Sequence, residues 1–328
     1  MSIERITFTT SQRWLHRIAV ILAVGTVLLI AKGGLVHSAG AGLSVPDWPT
    51  TYGENMFTYP IEKWTGGIVF EHGHRLIASG IGFITIIVAV MVWFVDKRRW
   101  MKVLAGVALL SVIVQGVLGG LTVLMQLPAA VSISHAMLAQ SFLLMTVAMA
   151  AATSRAWMTG SAAQRVNAGA SVQRLLLAAV LLTFVQIFLG ALTRHTYSAP
   201  FIPDFPLSNG RIIPVFTDSH VVIHFAHRVG ALIVTIAIFW AGIVVLRARE
   251  LARLRTAVIL AMLLVLVQAT LGATVIWTRQ AILPNTLHVA FGALTFATIF
   301  LAWLRAARWY RFSETQPSGV AGVEGARA

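Results

Sequence analysis

The sequence predicts an all-α integral membrane protein, with eight transmembrane helices arranged as two pseudo-symmetric four-helix bundles. Three observations lead there. Of the 328 residues, 58% are hydrophobic and only 11% charged, and the mean hydropathy is +0.82. A water-soluble core cannot hide that much apolar surface, so the bulk solvent must be lipid. Eight apolar runs are each long enough to cross about 30 Å of hydrocarbon at about 1.5 Å per residue. Finally, landmarks in the first half of the chain recur at fixed intervals in the second.

The first run, 14–36, follows "MSIERITFTTSQRW", which lacks the Arg/Ser-rich character of a transit peptide. It is too long for a cleaved signal and has no small-residue cleavage site after it. A long segment, 37–67, rich in Gly, Pro, Asp and aromatics, then reads as turns on the outer side. Runs 68–95, 101–125 and 130–153 complete an N-terminal half, residues 1–153. Residues 154–172 read as a cytoplasmic linker. The C-terminal half, 173–310, repeats the plan with runs 173–193, 219–246, 255–278 and 285–305 and a second outer loop at 194–218. The polar, Gly-rich tail, 311–328, is expected to be disordered.

The net charge of +14 marks topology rather than nucleic-acid binding. Most lysines and arginines fall in the segments facing one side, from Arg13 and Arg17 through Lys97, Arg98, Arg99 and Lys102 to Arg305 and Arg308. This positive-inside bias puts both termini in the cytoplasm of a prokaryotic plasma membrane. The chain has no cysteine, which excludes disulfides, thiolate metal ligands and cysteine nucleophiles.

The repeat is specific. Glu71-His72-Gly73-His74-Arg75 matches His224-Phe225-Ala226-His227-Arg228, Gln115 with "LGG" matches Gln268 with "LGA", and His135 matches His288, all at a spacing of 153 residues. "PDWP" at 46–49 matches "PDFP" at 203–206 at a slightly different spacing. Four spans per half give both halves the same orientation, related by an axis along the membrane normal.

Ionisable groups inside a membrane span are costly and call for a reason. His74, His135, His227 and His288 lie about one to two turns inside the outer ends of the even-numbered spans, at similar depth. Within each half, two spans present one imidazole each. A planar macrocycle needs that arrangement when its metal takes one axial ligand above and one below, so haem fits best. Zinc or copper would find a thin ligand set, two histidines per half without carboxylate or sulfur. The plain alternative for each histidine is a polar group satisfied by a neighbouring helix. His72 aligns with Phe225 and reads as a wall residue, while His16, His37 and His195 at helix ends read as structural.

Glu71 lies on the same helical face as His74, three residues earlier, yet its repeat counterpart is His224. The halves therefore differ where a reactive group would sit. A carboxyl there can carry protons or stabilise developing positive charge. Its alternative reading is an ion pair with Arg75 at i+4. Arg75 and Arg228 occur in both halves and suit a shared task such as holding haem propionates, with snorkelling as the alternative. Gln115 and Gln268 read as helix-bridging groups, and the glycines near them permit close helix or ring approach.

Together, "EHGHR" at 71–75, "GLSVPDWP" at 42–49, the Q-x-x-LGG helix and one histidine on each even-numbered span resemble the haem A synthase family. The resemblance covers essentially residues 12–305. It implies conversion of the C8 methyl group of haem O to a formyl group, giving haem A for cytochrome oxidases. It further implies that His74 and His135 flank the substrate iron, with Glu71 as the essential carboxylate, and that His227 and His288 ligate a haem b cofactor. A haem O synthase, an electron donor and cytochrome oxidase assembly factors are the implied partners, beside the lipid bilayer; a homo-oligomer is compatible and nucleic acid is not. Two departures stand out. Some members carry a cysteine pair in the first outer loop, absent here, and His37 stands where the family more often has Arg. Competing readings are a di-haem cytochrome that relays electrons to a quinone, which leaves the Glu71/His224 difference unexplained, and a haem transporter. The nearly uncharged inner halves of the spans offer a transporter no polar path.

Overall fold

A computed structural model describes residues 8–159, 164–166 and 171–312. Eight of its helices are long and apolar enough to cross a membrane: α1 (Thr10–Ser38), α2 (Gly67–Val95), α3 (Arg99–Leu124), α4 (Ala129–Thr153), α6 (Ser171–His195), α7 (Ser219–Arg247), α8 (Arg255–Trp277) and α9 (Ile282–Trp309). A short helix, α5 (Arg155–Thr159), follows α4. Each span lies within four residues of its expected ends, and side chains cap two of the starts. Thr9 caps α1 in a reciprocal box with Gln12, starting the helix four residues early. The Asp218 carboxylate accepts from the His220 amide at the start of α7.

Within the first half, α1 packs on α2 and α4, and α3 packs on the same two helices. In the second half, α6 and α8 each pack on α7 and α9. The halves meet where α1 contacts α9 and where α4 contacts α6 and α9. Buried apolar side chains collect in the ends of the spans remote from the long loops. Leu15, Leu22, Val88, Met101 and Met149 form one cluster, and Leu176, Ile238, Val245, Leu251 and Ile299 form another. The side chains facing outward are large and apolar too, among them Phe83, Phe94, Leu110, Leu232 and Trp240, as lipid contact requires.

The backbone carries the repeat further than the motifs do. The α3–α4 turn places Gln126 and Leu127 at positive φ, and the α8–α9 turn does the same with Arg279 and Gln280. Both outer loops contain a cis-proline peptide, Trp48-Pro49 and Phe205-Pro206, and a small bridge, Thr51 with Glu54 and Ser208 with Arg211.

Two features depart from expectation. Strand β1 (Gln164–Val166), inside the linker, pairs in parallel with β2 (Tyr310–Phe312) after α9. Residues 311 and 312, the first two of the expected tail, lie in this strand. Residues 313–328, where the rest of that expectation falls, lie outside the described residues, as do Arg5 and Arg327.

Candidate functional site

His74, His135, His227 and His288 lie six to eight residues after the first residue of α2, α4, α7 and α9. At about 1.5 Å per residue this puts all four at nearly one depth. The structure adds a feature of each that the sequence only hinted at. Every one of these imidazoles leans on a glycine of the preceding spanning helix. A methyl group added at Gly33 would lie 3.2 Å from Cε1 of His74, and at Gly119 3.2 Å from Cε1 of His135. At Gly190 and Gly272 the distances to His227 and His288 are 3.0 and 3.1 Å. A side chain at these positions would crowd the ring, which would have to give by a few tenths of an ångström, so the glycines allow this close approach.

In the second half the His227 and His288 rings are 6.3 Å apart, centre to centre, and cross at 84°. A metal bonded at about 2 Å to one nitrogen of each ring sets their centres about 6 Å apart. The pair therefore fits one iron between two imidazoles. Polar atoms without partners gather around the four rings: Nδ1 of His74, His135 and His288, and Oε1 of Gln115, Gln186 and Gln268. Buried polar atoms are rarely left unpaired, so these are available to a bound group.

The glutamines bridge helices, as expected. Gln115 Nε2 donates to the His135 carbonyl at 3.0 Å, and Gln268 Nε2 lies 3.4 Å from His288 Nε2. Gln186 was not legible in the sequence. It donates to the His227 carbonyl at 2.8 Å and lies 3.0 Å from Nδ1 of the same residue, but Leu29 holds the matching place in the first half, so the repeat gave no signal.

Glu71 and the two arginines are joined to the outer loops. Arg75 Nη1 donates to the carbonyls of Asp47 (2.7 Å) and Thr50 (3.1 Å), and Nη2 to the Val45 carbonyl (2.7 Å) and Glu71 Oε1 (2.7 Å). The other carboxylate oxygen of Glu71 accepts from the Val45 amide at 2.8 Å. Arg228 repeats the pattern on Ile202, Leu207 and Ser208, and its Nε donates to His224 Nε2 at 3.2 Å. Both arginines thus tie the outer loops to α2 and α7; each η-nitrogen of Arg75 makes two bonds, and Nη2 of Arg228 makes one. The Glu71–Arg75 ion pair, weighed above as the alternative for Glu71, is present and buried.

The clamped loops are themselves folded around an aspartate. Asp47 accepts from the amides of Tyr52 and Gly53, both at 2.8 Å, and from the Thr50 hydroxyl. Asp204 accepts from the Asn209 and Gly210 amides at 2.7 Å. Trp48, from the first loop, lies against Gly120 of the "LGG" turn so closely that a β-carbon has no room there. His72 packs beneath this loop, with Nδ1 3.0 Å from the Thr51 hydroxyl and its ring 4.6 Å from that of Trp64. At the junction of the halves, Arg194 donates to the Gly34 carbonyl (2.7 Å), the Ser38 hydroxyl (2.9 Å) and Asn285 (3.3 Å). The His37 and His195 rings meet there edge to face at 4.9 Å.

Residues 16–300 match the model of a family described as cytochrome oxidase assembly protein, COX15-CtaA. Over 295 residues the chain is 29% identical to a protein of Halalkalibacterium halodurans named heme A synthase, covering 84% of this chain and 92% of that one. Over 298 residues it is 28% identical to a protein of the same name from Alkalihalophilus pseudofirmus, covering 86% and 96%. A third, from Bacillus mycoides, is 25% identical over 298 residues, covering 88% and 92%.

Proposed function

The chain belongs to the COX15-CtaA family of cytochrome oxidase assembly proteins, and from that premise we propose that it is a haem A synthase, a membrane oxidoreductase that oxidises the C8 methyl group of haem O to a formyl group. The observation that carries the proposal is the two histidine pairs at one depth, each ring backed by a glycine. His227 and His288 hold a haem b in the C-terminal half, as their 6.3 Å ring separation supports. When bound, that group would supply one-electron transfer. His74 and His135 hold the substrate haem in the N-terminal half.

Glu71 belongs to the reactive half, where it is a fixed group rather than a mobile one. Arg75 and the Val45 amide hold both of its oxygens, so it positions the first loop beside His74. Arg75 and Arg228 act on the bound groups through the loops that they clamp. Supply of haem O calls for a haem O synthase and the oxidation for an electron donor. The bacterial relatives and the eight apolar spans support a plasma-membrane location.

The test is co-expression with a haem O synthase in a host that makes no haem A, followed by extraction and chromatography of the non-covalent haems. Haem A is the expected product. Persistence of unmodified haem O beside a reducible b-type haem in the purified protein would overturn the synthase and favour an electron-relaying cytochrome.

A further inference from the structure

We propose that Lys32 is the carboxylate-binding residue of the N-terminal half, its ammonium taking an acidic side arm of the iron porphyrin that His74 and His135 hold. The inference rests on the haem reading of those two histidines and concerns what else fixes the substrate.

Lys32 lies six residues before the last residue of α1, inside a membrane span, where a charged amine is expensive without a partner. It turns toward α2. A methyl group added at Gly73, the residue before His74, would lie 3.7 Å from its Nζ, and the same nitrogen sits 5.3 Å from the centre of the Phe70 ring. Gly33, the residue after Lys32, is the glycine that backs the His74 ring. The amine therefore stands beside the proposed iron ligand.

No carboxylate meets it. The ion pairs among the described residues join Lys63 to Glu54, Arg75 to Glu71 and Arg98 to Asp96. The nearby acids of the outer end are occupied, Glu71 by Arg75 and Val45, and Asp47 by its own loop. Arg75, which the sequence suggested for this duty, has its η-nitrogens on loop carbonyls and Glu71. A cation in lipid beside a porphyrin site, with no anion from the protein, is matched by the carboxylates that a porphyrin carries. Away from water such a charge-assisted pair is strong.

The repeat sharpens the assignment. The residue matching Lys32 in the second half is Leu189, 157 positions on. A cation peculiar to the first half suits a group that must be recognised, turned over and released, and the half that keeps its haem lacks it.

The experiment uses the full chain with its resident haem, titrated with ferric protoporphyrin IX and with the dimethyl ester of the same compound, and followed by the absorption change of the added iron. The wild type should bind the free acid about ten-fold more tightly than the ester. Lys32→Met should bring the two within about two-fold by weakening the acid alone, and Lys32→Arg should keep the preference. An unchanged preference in Lys32→Met, the behaviour of a lysine that merely snorkels to the surface, overturns the assignment. So does equal binding of acid and ester by the wild type, a result that needs no variant to fold. Uptake of neither compound by the wild type overturns the haem reading of His74 and His135 together with it.

Discussion

Four glycines decide where four imidazoles can stand, and two of them were hidden from the sequence. Gly119 and Gly272 belong to the "LGG" and "LGA" turns, which recur at the same 153-residue spacing as the histidines. Gly33 and Gly190 follow a spacing of 157 instead, among many other glycines in apolar runs, so no pattern joined them to His74 and His227 until the helices were in place. Their effect is testable. A β-carbon at position 190 would stand 3.0 Å from the His227 ring, and overpacking of this kind costs about 1–3 kcal/mol. Gly190→Ala should tilt or displace that imidazole and shift the absorption and paramagnetic-resonance signature of the haem proposed for the C-terminal half. Gly33→Ala should leave the signature alone and weaken porphyrin uptake by the first half. A Gly190→Ala spectrum identical to the wild type would remove the glycine from any positioning role.

The outer loops show how an element can be legible in outline and opaque in purpose. "PDWP" and "PDFP" announced a duplicated turn, but the partners of Arg75 and Arg228 are mostly backbone carbonyls more than twenty residues away. Any residue type offers a carbonyl, so no side-chain motif could reveal the clamp. The aspartate at the centre of each loop makes the element sensitive to acid in a definite direction. Burial works to raise Asp47, but hydrogen bonds from Gly53, Thr50 and Tyr52 outweigh it together and hold the carboxyl below its ordinary value. In Asp204 the amides of Gly210 and Asn209 do the same. A carboxyl depressed in the folded state stabilises it fully above the unfolded value of about 3.9 and loses that contribution as pH falls through the lower, folded value. Amide hydrogen exchange in loop 45–54, corrected for the intrinsic pH effect, should thus show constant protection from pH 7 to pH 5. Asp47→Ala should expose the Tyr52 and Gly53 amides about ten-fold more at pH 7, the equivalent of roughly 1.4 kcal/mol for the lost bonds. Equal protection in the variant and the wild type would mean that the clamp alone holds the loop.

At the scale of the whole molecule the spans were readable because lipid imposes a length and a polarity on each of them, and the departures were only at capped or frayed ends. The pairing of β1 with β2 was not readable, since it rests on a few backbone bonds between segments about 145 residues apart. Orientation follows from charge. We place both termini in the cytoplasm, where the basic segments around Lys97–Lys102 and Arg247–Arg255 would lie. Alkaline phosphatase fused after residue 312 should be inactive and green fluorescent protein at the same junction fluorescent; the reverse result would invert the molecule and put the histidine sites on the inner side. The glycine–histidine contacts have a thermodynamic consequence at this scale as well. Each half offers two imidazoles from two helices, and behind them glycines from the other two. A porphyrin gripped by such a pair bears on all four helices, directly through its ligands and indirectly through their backstops. By mass action, what binds only the assembled bundle stabilises it in proportion to the logarithm of its supply, so on the proposed reading the porphyrin concentration in the membrane would be one of the variables that set the folded fraction.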